Sequence, residues 1–264
     1  MINLWHRFNK QALLFSVMLA LVLPMIQLYQ RLRSHLGQKN IFLDSPFTLW
    51  MGVDGFNFAA VTYYLVIPLL AALPAATLLK KDAENGYLMQ LRLKGVLAKV
   101  VATYYAWSFI LGGLIVALPL LLNISFFALF YPSIVPDNLL NQNILVIHAN
   151  TFGVGLYYQH PWVHSLLNIS LVLLWGGLFA TFITAMSLHL KNRFLALSTG
   201  LLLQLGLLLI QELHFFSGSF APMDFLKQSA TSNTSFVGMI ILTLVMIGLI
   251  GVLTRIGARK LADL

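Results

Sequence analysis

Six stretches of this chain carry no charged side chain, and each is long enough to cross a membrane. They cover residues 11–30, 55–79, 100–122, 166–190, 194–211 and 235–254. A helix rises about 1.5 Å per residue, so roughly 20 residues span the ~30 Å hydrocarbon core of a bilayer. In lipid the backbone must satisfy its own hydrogen bonds, which makes helix the reading for all six. Barrel strands would instead alternate polar and apolar over about 10 residues. The expected fold is an all-α membrane protein with six transmembrane helices in a single transmembrane domain over residues 1–264. Composition agrees: 9% of residues are charged, against about 25% in soluble domains. The first run contains Pro24 and lacks a small-x-small cleavage pattern, so it reads as a retained helix, not a leader. The chain has no cysteine, which excludes disulfides, thiolate metal sites and a cysteine nucleophile.

The formal charge of +8 sits at the ends of the apolar runs, which sets membrane orientation rather than nucleic-acid binding. With both termini inside, twelve of the sixteen lysines and arginines fall on inner segments; Arg31, Arg33, Lys39 and Lys227 lie outside. That bias predicts cytoplasmic termini in a multi-pass cell-membrane protein, a bacterial plasma membrane being the expected setting. Leu4, Trp5 and Phe8 beside His6, Arg7 and Lys10 predict a short N-terminal helix lying on the inner surface. The outer loops 31–54 and 123–165, rich in aromatics and prolines, are expected to form short interfacial pieces. Residues 191–193 leave only a tight turn, so the fourth and fifth spans form a hairpin.

The most charged stretch is the inner loop 80–99. Asp82 and Glu84 come first, as suits a helix N-terminus, and Arg92 and Lys94 come last. Gly86 and Gly95 bracket residues 87–94, where Leu88 and Leu91 share a face, predicting an amphipathic helix of about two turns. From these residues alone, a solvated loop anchoring two spans is an equal reading.

An acidic pair, then Asn-Gly and a short helix between the second and third of six spans, resembles permeases of the ABC-2 type. The matching positions are Asp82, Glu84, Asn85, Gly86 and Tyr87, with Arg92 further along and Lys80 and Lys81 loosely fitting the basic position before the acids. The topology resemblance covers nearly the whole chain, including an outer element before the last span, for which residues 222–227 would supply a short interfacial helix. The resemblance implies a coupling helix docked on a separate cytoplasmic ABC ATPase, which carries the ATP and Mg. It also implies a second permease subunit, identical or related, and export of an amphipathic or hydrophobic substrate such as a peptide, lipid, drug or polysaccharide.

The chain itself offers no catalytic constellation. All eight acids and all sixteen lysines and arginines lie outside the six runs, unlike the intramembrane ionisable groups of ion-coupled carriers. There is no GxxxxGK[ST] loop, so any ATP hydrolysis belongs to another chain, and no cofactor or metal is expected on this one. His160 and His164 have ligand spacing, but Pro161 separates them and no acid completes a site, so they read as boundary histidines. Candidate pathway-facing residues are Asn57, Tyr64, Tyr104, Ser108, Gln204 and Gln211; the competing reading is that these groups bond across helices. Gly113/Ala117, Gly176/Ala180 and Ala71/Ala75 permit close helix contact. Two alternatives to a permease remain at this level: a non-transporting assembly or sensory subunit, and a membrane-embedded enzyme.

Overall fold

Proline and asparagine set the helix starts. Pro161 occupies the first position of its helix, where its missing N–H is no loss. The Asn57 side chain accepts from Ala59 N at 2.9 Å, and the Asn192 side chain from Phe194 N at 2.8 Å, capping two more helices. A computed structural model describes residues 10–35, 44–88, 90, 97–137, 146–213 and 218–262. Its helices are α1 (Lys10–His35), α2 (Pro46–Leu49), α3 (Phe58–Ala72), α4 (Leu78–Glu84), α5 (Leu97–Phe130), α6 (Val154–Gln159), α7 (Pro161–Ser187), α8 (Arg193–Glu212), α9 (Pro222–Phe225) and α10 (Phe236–Ala262). The N-terminal surface helix expected over residues 1–10 lies outside the described residues but for Lys10, where α1 begins.

Among the described residues, five helices are long and apolar enough to cross a membrane: α1, α5, α7, α8 and α10. Their outward faces carry large apolar side chains, and the chain is a helical multi-pass membrane protein. The second expected span, 55–79, is not one helix. It divides into α3, of 15 residues, a turn over 73–77, and α4. Pro74 is the physical reason: it cannot donate to the Leu70 carbonyl, and its ring crowds the turn before it. A bond from Ala76 N to Ala72 O at 3.1 Å bridges the break. The third span also departs from expectation, since α5 continues past 122 to Phe130 and draws Asn123 into the bundle, where it is buried.

The centre of the bundle is the crossing of α5 and α7. Half of the apolar window of α5 and 61% of that of α7 are buried, against 11% for α10, which places α10 at the periphery. Small residues make the crossing possible. A Cβ on Gly113 would stand 2.5 Å from the Leu173 carbonyl oxygen, and one on Gly177 would stand 2.6 Å from the Phe109 ring. Close backbone approach of this kind is how helices associate where lipid supplies no hydrophobic drive. Tyr63 on α3 adds a bond to the Val116 carbonyl of α5 at 2.6 Å.

Three loops close one end of the bundle as a cap. Gln228 N donates to Gly52 O at 2.8 Å, Ala230 N to Asn150 O at 3.1 Å and Thr234 N to Ala149 O at 2.7 Å. Trp50, Phe47, Tyr157 and Phe225 fill its interior. The short helix expected over 222–227 is present as α9 and is packed into the cap: Pro222, Asp224 and Phe225 are buried, as is Lys227 just beyond it. The other, basal end is closed by a second apolar cluster of Leu79, Leu88, Val100, Val101 and Tyr104, with Leu13 and Leu188 packed against it.

Candidate functional site

The basal end brings together the residues singled out by the charged loop. α4 ends at Glu84, and Gly86 follows in the left-handed conformation (φ +70°) that a helix stop favours. Asp82 and Glu84 therefore sit at the end of α4, not at the start of the next helix as expected. Acids there oppose the helix dipole and need nearby cations. Lys80, one turn earlier, lies 3.7 Å from Glu84, and Arg193 at the start of α8 forms an ion pair with it. The Arg193 hydrogen bond, with help from Lys80, holds the Glu84 carboxyl below its ordinary range.

Lys80 and Asp82 point inward. The Lys80 ammonium donates to the carbonyl oxygens of Leu190 and, at 2.6 Å, Lys191, in the turn between α7 and α8. Asp82 is fully buried and accepts from the Tyr104 hydroxyl on α5 at 2.6 Å. One turn of α4 is thus bonded to α5, to the α7–α8 turn and to α8. Asn85 and Gly86 remain exposed beyond it, and Tyr87 is half-buried. Arg92 and most of the helix expected over 87–94 lie outside the described residues.

The six candidate pathway residues are not gathered into one conduit. Asn57 caps α3 and donates to Gln30 at 3.0 Å. Ser108 bonds with Thr184 at 2.7 Å across the α5–α7 crossing. Tyr104 belongs to the basal cluster, and Tyr64 is buried with its hydroxyl unpartnered. Gln204 has a specific task. Pro68 has no N–H for the Tyr64 carbonyl four residues earlier. Gln204 Nε2 donates to that oxygen at 2.9 Å and to Leu65 O at 2.7 Å, repairing the ladder from a neighbouring helix. Gln211 ties α8 to the cap: Oε1 accepts from Phe220 N and Ala221 N, and Nε2 donates to Asp224 and Ser232.

The sequence reading missed the polar network of the cap. Asp224 accepts from Thr231 N at 2.6 Å, Thr231 Oγ1 and Ser232 Oγ at 2.8 Å, and Ser232 N at 3.3 Å. Burial pushes its carboxyl up, but the Thr231 N–H, Lys227 and the hydroxyls outweigh burial and hold it below the usual carboxylate range. Trp50 Nε1 donates to Gln228 Oε1 at 3.0 Å, and Gln228 Nε2 donates to His164 Nδ1 at 2.7 Å. His164 Nε2 then carries the proton and donates to Phe152 O at 2.7 Å. A third cluster joins α1 to the cap: Gln27 and Arg31 both donate to buried Asp54, and Asn123 donates to Gln27 Oε1 at 3.0 Å. Arg31, which ran against the charge bias of the sequence, is thereby neutralised. A polar residue inside an apolar run, such as Gln27, was the one available signal for these contacts.

Among the described residues no group of His, Asp and Glu has the composition to hold a metal. No family model, no curated protein and no solved structure matches this chain.

Proposed function

We propose that this chain is the membrane subunit of an ATP-driven transporter resembling the ABC-2 type, exporting an amphipathic or hydrophobic substrate. Its termini lie in the cytoplasm, a second permease subunit completes the pathway, and a separate ABC ATPase docks on the segment from Asp82 through Arg92. The observation that carries this reading is the bonding of α4. Lys80 grips the α7–α8 turn, Asp82 grips Tyr104 on α5, and Glu84 grips Arg193 on α8. A push on the exposed Asn85–Gly86 corner is therefore delivered to three spanning helices at once, while the break at Pro74 lets α4 move without dragging all of α3. Coupling between sites needs such a contiguous element with two arrangements.

The test is purification of the tagged full-length chain from its own membrane, followed by assay for bound ATPase. A nucleotide-hydrolysing partner is expected in the complex, and Glu84→Arg combined with Gly86→Pro is expected to release it or uncouple it. Wild-type chain without such a partner, or a complex and transport indifferent to that double change, contradicts the proposal.

A further inference from the structure

Gln228 joins the loops of the cap through both its backbone and its side chain. Its backbone N–H donates to Gly52 O at 2.8 Å, and its carbonyl accepts from the Thr151 hydroxyl. Its side-chain Oε1 accepts from Trp50 Nε1 at 3.0 Å. Its Nε2 donates to His164 Nδ1 at 2.7 Å and to Ser165 Oγ at 3.3 Å. His164 Nε2 continues the chain to Phe152 O at 2.7 Å. Trp50, Thr151, His164, Ser165 and Gln228 are all buried.

The two ends of this chain fix its direction. An indole nitrogen can only donate, and a carbonyl oxygen can only accept. Gln228 must therefore turn its oxygen to Trp50 and its amide nitrogen to His164. Nδ1 of His164 is then bare, and Nε2 carries the single ring proton. A second proton would set Nδ1–H against the Gln228 N–H. Turning the amide over moves the conflict to Trp50, where two donors would meet. The chain of bonds therefore accepts a neutral imidazole and has no place for an imidazolium.

The surroundings offer the extra charge no compensation. Tyr157 of α6 meets the imidazole edge-on at 5.6 Å, and its hydroxyl donates to Phe47 O. Lys227 shares a cavity wall with His164 and is already paired with Asp224. His160 stands one turn earlier on the same helix, and His148 lies in the loop that carries Phe152; both are exposed. α2 and the first turn of α10, Phe236–Met239, contain no ionisable side chain. No carboxylate among the described residues bonds the ring.

We propose that Trp50, Gln228, His164 and Phe152 form a proton-sensitive latch, which holds the cap loops together while His164 is neutral and releases them when it is protonated. Once released, His164 titrates as an ordinary histidine, near 6.5. Below that value the released form takes up a proton that the latched form refuses, so release gains about tenfold per pH unit. This inference rests on the cap alone and is independent of the transport reading.

The test is hydrogen exchange of the full-length chain in detergent, read at the three amides that join the cap loops: Gln228 N, Ala230 N and Thr234 N. Protection is taken relative to the unfolded chain at the same pH, which removes the pH dependence of exchange itself. In wild type it is expected to be constant above pH 7 and to fall about tenfold per unit below about 6.5. Gln228→Glu gives protonated Nδ1 an acceptor, so protection there is kept at pH 5.5 and falls as pH rises through the histidine range. His164→Phe lowers protection to a level that no longer changes with pH. Wild-type protection equal at pH 7.5 and 5.5 overturns the proposal. So does a wild-type fall that persists in His164→Phe, which would make His148 or His160 the responsive group. Those two comparisons decide the matter even if Gln228→Glu does not fold.

Discussion

The two ends of this bundle differ in where their ion pairs lie. At the capped end Asp224, Lys227 and Asp54 are withdrawn from solvent and held by amides, hydroxyls and backbone N–H groups. At the basal end Lys80 and Asp82 are buried too, but Glu84 and Arg193 face outward, with side chains 43% and 45% exposed, and pair in the open. A buried network is rigid and is costly to break, whereas an exposed pair contributes little to stability and is open to exchange with a partner. On the proposed reading the capped end serves shape and the basal end communication.

The sharpest way to break that contrast is to strip Asp224 of its charge. Asp224→Leu leaves the Lys227 ammonium buried without its counter-ion, and loss of one member of a buried pair is worth about 3–5 kcal/mol. Denaturant unfolding in detergent is expected to show a loss of that order.

Between the two ends stands the Gln204 repair of the proline break. Gln204→Leu leaves the Tyr64 carbonyl without a partner, a loss of about 1–3 kcal/mol for an unsatisfied buried group. Adding Pro68→Ala supplies the missing N–H, so the double variant is expected to recover much of the stability. If it recovers none, Gln204 serves some end other than the backbone of α3.

Acid distinguishes the ends further. The Asp224 carboxyl is held below its ordinary pKa in the folded chain, so the unfolded chain takes up a proton first as pH falls. The stability it contributes is present above the ordinary carboxylate value of about 3.9 and is lost as pH drops from there through the depressed value. A pH series of thermal midpoints should show this loss, and Asp224→Asn should flatten that part of the profile. The smallest stability effect belongs to the basal end, where the exposed Glu84–Arg193 pair contributes little and Glu84→Gln is expected to move the thermal midpoint least.

The apolar framework was legible in the sequence because hydrophobic run length is a local property. α8, read as 194–211, runs Arg193–Glu212. Which proline would divide a span was not legible: Pro24, Pro68 and Pro119 lie inside continuous helices, whereas Pro74 stands at a break. What rescues Pro68 is a glutamine 136 residues away in sequence, and no local pattern encodes that pairing. The acids of the charged loop were located but assigned to the wrong helix end, because Gly86 closes the helix before it and does not simply precede the next. The cap was least legible. Its bonds join Trp50 in one outer loop to Gln228 in another, and Gln211 at the end of a span to Ala221 in a loop.

The central claim is that force enters through the basal ion pair, and charge exchange tests it most directly. ATP hydrolysis should be compared in the purified complexes of wild type, Glu84→Arg, Arg193→Glu and the variant carrying both. The account predicts that each single reversal lowers substrate-stimulated hydrolysis at unchanged thermal stability and that the double exchange restores it. Four indistinguishable rates would contradict it.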